Sequence, residues 1–311
     1  MSSIPERLEA SLAALSPARS LWVAFSGGLD SHVLLHALAH APATAGRVRA
    51  IHVDHGLQHE SADWAEHCLA VCRQLGVELT TRHVEARAQT GESPEAAARR
   101  ARYAVLAELL EEGDLLFTAH HQDDQAETLL LQLLRGAGPR GLAAMPDVAP
   151  LGVGRLVRPL LGASRAELHA YAQAEGLAWV EDPSNTETRY DRNFLRHEIV
   201  PRLRGRWPAV SAVLARSAGH LAEAAGLLEE LAGEDSERAR GTWPGTLSVS
   251  AVRQLSPARQ RNLLRHWLRR RGFVAPDSRR LEAIRDAVLA SRPDGEPLVE
   301  WPGCEVRRYR D

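Results

Sequence analysis

There is no lysine in this chain: all 38 of its basic residues are arginine, set against 40 aspartates and glutamates. A GC-rich genome explains that bias as readily as a demand for bidentate phosphate contacts does. Cysteine is scarce too. Cys68 and Cys72 stand four apart and Cys304 is remote, which excludes a disulfide framework and a CxxC redox or metal pair. They read as buried structural thiols. No apolar run is long enough to span a bilayer, and the first residues carry Glu6, Arg7 and Glu9, unlike a secretory signal. A cytoplasmic protein with no membrane partner is the expectation.

What is present fits an ordinary globular protein: 311 residues, 44% apolar and 25% charged, enough for two domains with separate cores. The net charge of −2 hides an asymmetry. Met1 to Thr188 holds 15 Arg against 24 acids (−9), and Arg189 to Asp311 holds 23 Arg against 16 acids (+7). Halves of opposite sign suggest a nucleic-acid-facing module.

The chain turns on Ser26-Gly27-Gly28-Leu29-Asp30-Ser31, set between the apolar run Leu21 to Phe25 and His32 to Leu38. A strand, a glycine turn and a helix aim backbone N–H groups, two hydroxyls and a helix dipole at one point, an anion site suited to phosphate. A Cβ at the glycines would block close approach of the backbone. The spacing is not that of a Walker A loop, and an acid, Asp30, stands where no lysine follows. It suggests Mg²⁺ held between carboxylate and phosphate.

Strands are expected at Leu21–Phe25, Val48–Val53, Glu78–Val84, Leu115–Ala119 and Leu156–Leu160. Helices are expected at Pro5–Leu15, Ser31–Ala39, Ser61–Leu75, Pro94–Glu111, Asp124–Leu134 and Ser164–Gln173. Alternation of this kind builds a doubly wound parallel sheet, with ligands beyond the carboxyl ends of its strands. Ser26 to Asp30, Asp54-His55-Gly56 and His120 to Asp124 all fall at strand ends. Gly136 to Gly141 reads as a mobile loop. The first domain is expected at 1–207 and a smaller, mainly helical one at 208–311, with a helix from Val210 to about Leu231 and a polar linker from Gly233 to Gly245. A helix opened by Ser256-Pro257 carries Arg259, Arg261, Arg265 and Arg269 with no acid, a candidate phosphate-backbone contact. His32, His36 and His40 lie one turn apart; with no carboxylate or cysteine beside them they read as a helix face.

Several pieces then fall into one order: "FSGGLDSHVLLH", "IHVDHGLQ", "ARRARYAVL", "TAHHQDDQAETLLLQLLRGAGPRGL", "RPLLGASRAEL", "WVEDPSNTETRYDRNFLRHEIVP" and "EVRRYR". Together they resemble the bacterial tRNA(Ile)-lysidine synthetase family, N-type ATP pyrophosphatases of the PP-loop, adenine nucleotide alpha hydrolase-like class. The resemblance implies a ligase. ATP would adenylate the 2-oxo group of the wobble cytidine in a CAU-anticodon isoleucine tRNA, and free L-lysine would displace AMP.

By that resemblance Ser26, Gly27, Gly28, Leu29, Asp30 and Ser31 form the pyrophosphate cradle, with Asp30 also the metal ligand. His52, Asp54 and His55 would meet nucleotide, and Asp124 and Glu127 would recognise lysine from one helical face. Asp124 could instead only cap its helix. His121 and Arg102 would touch phosphate or the intermediate, and Arg192 and Arg196 the tRNA or the adenylate. From the single-sign charge of their helix, Arg259, Arg265 and Arg269 are expected as further tRNA contacts. ATP and Mg²⁺ are the cofactors implied, and a homodimer is the assembly considered. A further C-terminal domain of longer members is expected to be absent. The rival readings are a tRNA thiolase on the same loop, which needs reactive cysteines, and a non-catalytic tRNA- or nucleotide-binding adaptor.

Overall fold

The structure is a computed structural model that describes residues 3–15, 17–54, 61–84, 94–274, 276–292, 295 and 297–309. It forms two compact units, Met1–Ala222 and Glu223–Asp311.

The first unit runs α1 (Ile4–Ala13), β1 (Leu21–Ala24), α2 (Leu29–His40), β2 (Val48–Asp54), α3 (Ser61–Leu75), β3 (Glu78–His83), α4 (Pro94–Leu109), β4 (Leu115–Phe117) and α5 (Gln122–Leu134). It continues through α6 (Pro139–Leu142), β5 (Val148–Leu151), β6 (Gly154–Val157), α7 (Arg165–Ala174), α8 (Asp191–Phe194) and α9 (Val200–Arg206). The sheet order is β3-β2-β1-β4-β6-β5. Only the edge strand β5 is antiparallel. Winding reverses between β1 and β4, so the carboxyl ends of those two strands open on one crevice.

Alternation along these strands builds a core on each face of the sheet. Val23, Leu115 and Phe117 pack with Leu34, Leu35 and Leu38 of α2 and Leu168 of α7. Trp22 and Leu116 point the other way, into Ile51, Leu106, Leu110 and Leu156. Burial on both sides explains why β1 and β4 read as unbroken apolar runs.

Several boundaries differ from expectation. α2 begins at Leu29 rather than Ser31, because Gly27 reverses the chain at φ +81° and Gly28 caps the helix. The last strand ends at Val157, where Arg158-Pro159 withdraws a backbone donor. The unexpected β5 joins it through Gly152, where a Cβ would stand 2.6 Å from the Ala107 carbonyl oxygen. In the glycine-rich stretch 136–141, Pro139 opens the short helix α6. Beyond it the Gln125 side chain accepts from the Met145 N–H (2.8 Å) and donates to its carbonyl (2.7 Å).

α10 (Val210–Arg238) begins in the first unit and ends in the second. The linker expected from Gly233 is therefore helix as far as Arg238, for a physical reason: Asp235 is fully buried and takes a bidentate bond from Arg259. The second unit continues with α11 (Val249–Arg253), α12 (Pro257–Arg270), α13 (Ser278–Ala283) and the hairpin β7–β8 (Leu298–Trp301, Cys304–Arg307). Its core gathers Leu264, Leu268, Leu281, Ile284, Val288 and Val306. Among the described residues no helix is long and apolar enough to cross a membrane.

Truncating the fully buried Leu35 to alanine should cost about 3 kcal/mol, whereas Leu133→Ala, at a position 57% exposed, should stay within about 0.5 kcal/mol. Urea unfolding of the two variants measures the difference.

Candidate active site

The turn after β1 is held from within and from behind. Ser31 Oγ donates to the Gly28 carbonyl at 3.0 Å, accepts from the Ser26 N–H at 3.2 Å and lies 3.1 Å from Ser26 Oγ. The Val180 N–H donates to the Gly27 carbonyl at 3.0 Å, and His32 Nδ1–H donates to the Ala178 carbonyl at 2.7 Å. A Cβ on Gly27 would meet Cys68 Sγ at 3.1 Å and the His67 ring at 3.3 Å. Both φ and space therefore demand glycine there. Asp30, in the first turn of α2, keeps a buried Oδ1 with no hydrogen-bond partner among the described residues. An orphaned carboxylate oxygen beside such a turn fits a divalent cation carrying phosphates.

β4 delivers the second half of the site. His121 caps α5: its N–H donates to Asp124 Oδ2 at 3.0 Å, and its Nδ1 accepts the Asp123 N–H at 3.2 Å. The ring proton therefore sits on Nε2, which lies 3.5 Å from Asp30 Oδ2 and 3.5 Å from Asp124 Oδ2. Burial pushes His121 down, but Asp124 and Asp30 outweigh it and leave its pKa raised. One imidazole thus touches both the glycine turn and the carboxylates of α5.

Asp124 does two jobs. Its Oδ2 completes the cap, while its Oδ1 accepts Arg196 Nη2 at 2.8 Å. Arg196 also forks onto Glu127, with Nε to Oε1 at 2.7 Å and Nη2 to Oε2 at 2.9 Å. Arg192 Nε lies 3.4 Å from Glu127 Oε2, and its Nη2 donates to Thr128 Oγ1 at 2.6 Å. Arg196 stands on a π-helical stretch, Leu195–Ile199, between α8 and α9, a distortion often found at functional sites. Burial raises Glu127 above the usual carboxylate range despite Arg196. Burial pushes Asp124 up as well, yet His121, His120 and the arginines hold it down to about 2. His120 is driven down to about 3 by burial, and Arg158, Arg99 and Arg192 add to the effect.

The other expected residues are distributed less simply. Leu29 is core, and His52 is buried with Nδ1 donating to the Phe25 carbonyl at 3.0 Å. Asp54 Oδ2 lies 3.0 Å from His83 Nδ1 across β2 and β3. His55 falls outside the described residues. Arg102 is half-buried on α4. In the second unit Arg259 pairs with Asp235 and Arg269 with Glu229 of α10, and Arg261 with Glu282 of α13, so the acids missing from α12 come from its neighbours. Arg265 is pushed down by burial and by Arg261 and Arg269.

Two points went unread in the sequence. Asp123 Oδ1 accepts Arg204 Nη2 at 2.6 Å and Ser211 Oγ at 2.5 Å, while its Oδ2 accepts the Arg165 N–H at 3.2 Å. It thereby ties α5 to α7, α9 and α10. Its place within the His121 to Glu127 motif was the available signal. Cys68, read from the sequence as a buried structural thiol, lies behind the glycine turn, 3.5 Å from His52 Nδ1. Burial pushes its thiol up to about 12 and that of Cys72 up to about 11, the opposite of a reactive thiolate. Beside Glu127 opens a cavity of about 370 Å³, lined among others by Asp123, Glu127, Arg165, Arg196, Arg204 and Ser211.

A PP-loop domain family matches residues 2–203, and the TilS substrate binding domain family matches residues 247–311. The solved U34-tRNA thiolase NcsA from Methanococcus maripaludis shares the fold, with a TM-score of 0.59 at 19% identity over 70% of this chain and 78% of that one. The chain is 53% identical over 307 residues to the tRNA(Ile)-lysidine synthase of Methylococcus capsulatus, covering 97% of this chain and 70% of that relative. To the synthase of Coxiella burnetii it is 45% identical over 306 residues, covering 98% and 68% respectively. The chain belongs to the tRNA(Ile)-lysidine synthase family.

Two acid-side effects follow from the shifted groups. His120, neutral in the fold, stabilises above its ordinary value near 6.5, and that contribution is lost as pH falls toward about 3. Asp124, ionised in the fold, loses its contribution lower down, between 3.8 and about 2. Melting temperature against pH should therefore slope less steeply between 6.5 and 3 in His120→Asn than in the unaltered chain.

Proposed function

We propose that this chain modifies isoleucine tRNA with a CAU anticodon, using ATP and Mg²⁺ to join free L-lysine to the 2-position of the wobble cytidine. One observation carries the reading: a single imidazole, His121, stands 3.5 Å from Asp30 of the glycine turn and 3.5 Å from Asp124 of the paired carboxylates. Activation by phosphate and capture by an amine are two chemistries, and this contact sets their residues side by side.

The cytidine 2-oxo oxygen is a poor leaving group, and bonding it to the α-phosphorus of ATP lets it depart within AMP. Pyrophosphate leaves in the first half-reaction. In the second, the lysine amine forms the new bond to C2, AMP leaves with the old oxygen, and the amine gives up a proton. A turn without lysine holds the two outer phosphates through backbone N–H groups and the hydroxyls of Ser26 and Ser31, and leaves the inner phosphorus open. Asp30 would hold Mg²⁺, which when bound offsets charge on the departing pyrophosphate. Positioning and charge neutralisation supply most of the rate.

Asp124 and Glu127 receive the ammonium groups of lysine. Arg196 already donates to both, yet a carboxylate has about four acceptor sites, so room remains. Arg192 and Arg196 then face the adenylate or the tRNA. The catalytic domain is 1–207 and the tRNA-facing domain 208–311, in a cytoplasmic protein.

Incubation with ATP, Mg²⁺, lysine and the tRNA should add one lysine residue to one cytidine, as read by mass spectrometry of the digested RNA. Asp30→Ala should lower pyrophosphate release by about a hundredfold or more; unchanged release removes Asp30 from the metal role. Glu127→Ala should slow lysine capture more than adenylation, and equal losses in the two half-reactions remove it from lysine binding.

A further inference from the structure

The stretch Arg158 to Leu168 is among the motifs carrying the family resemblance, yet the functional reading uses none of its side chains. Its Arg165 opens α7 and lines the cavity beside Glu127. Three arginines line that cavity, and two are engaged: Arg196 with Glu127 and Asp124, Arg204 with Asp123 and Ser211. The Arg165 guanidinium makes no hydrogen bond or ion pair with the described residues. Only its backbone N–H is tied, to Asp123 Oδ2 at 3.2 Å. That bond fixes where the side chain leaves α5's neighbour, while the guanidinium keeps all five donors.

Lysine brings two ammonium groups and one carboxylate. Asp124 and Glu127 answer the positive groups, Glu127 from the cavity wall itself, and the carboxylate that enters beside it needs a cation. We infer that Arg165 binds the α-carboxylate of the incoming lysine, so that the cavity accepts a whole amino acid and Arg165 selects it over amines of the same length. The first turn of α7, whose Ser164 and Ala166 also line the cavity, adds favourable N-terminal polarity for an anion. This inference rests on the lysine-ligation reading.

L-lysinamide, which keeps both amines and loses the negative charge, separates the alternatives. In the full chain with ATP, Mg²⁺ and tRNA, apparent affinities for lysine and lysinamide are measured by competition. Lysine should be preferred about ten-fold or more, the scale of one charge-assisted pair. Arg165→Gln, which leaves the backbone bond to Asp123 in place, should raise the KM for lysine by about the same factor and bring the ratio near one. Arg165→Lys should restore part of the preference. Equal affinities in the unaltered chain, or an Arg165→Gln loss shared equally by both amines, would overturn the assignment while the ligation reading stands. No lysine on the tRNA with the unaltered chain overturns the ligation reading and the assignment with it.

Discussion

Two carboxylates lie almost wholly buried on the first two turns of α5, and one guanidinium spans both. Desolvating a lone carboxylate costs several kcal/mol. Arg196 offsets that with three hydrogen bonds of 2.7 to 2.9 Å to Asp124 and Glu127. Breaking such a buried set by removing one partner typically costs about 3–5 kcal/mol. The contact therefore fixes the segment from α8 to α9 against α5, and with it one wall of the cavity. Asp123 does the same on the opposite side of the helix start, drawing in α7, α9 and α10. Charge ties around a helix N-terminus, rather than apolar packing, shape this end of the unit.

The glycine turn meets that system through His121, and tautomer logic explains why the contact is directional. Because Nδ1 is spent on capping α5, only Nε2 can face Asp30 and Asp124. The order of strands makes this possible. β1 and β4 are neighbours on either side of the winding reversal, so the loops that follow them share a crevice although nearly a hundred residues apart in sequence.

Much of the sheet was readable in the residues, because β1 and β4 are buried on both faces and so appear as unbroken apolar runs. The short strands β5, β7 and β8 carry four residues each, too few for a period of two to stand out. The polar run after Gly233 looked like a linker because its partner, Arg259, lies 24 residues on. The residue types of the site were legible, since Asp124 and Glu127 do share one helical face. Their partners were not. Periodicity reports which side of an element is buried, and says nothing about which distant charge satisfies a buried acid. The partners of the α12 arginines were hidden in the same way: Arg259 and Arg269 find acids on α10 and Arg261 on α13, out of reach of any local pattern.

The π-helical turn Leu195–Ile199 has a consequence for insertions and deletions in this chain. Wider than an α-turn, it absorbs an extra residue between α8, which carries Arg192, and α9, which carries Arg204, with Arg196 inside the turn itself. Loss of a single residue there would relax the turn to ordinary α geometry and rotate α9 by about 100° relative to α8. Arg204 would then swing off Asp123. Segment length, and not only residue identity, is thus under constraint here, and a change in spacing would be felt as strongly as the loss of a charge.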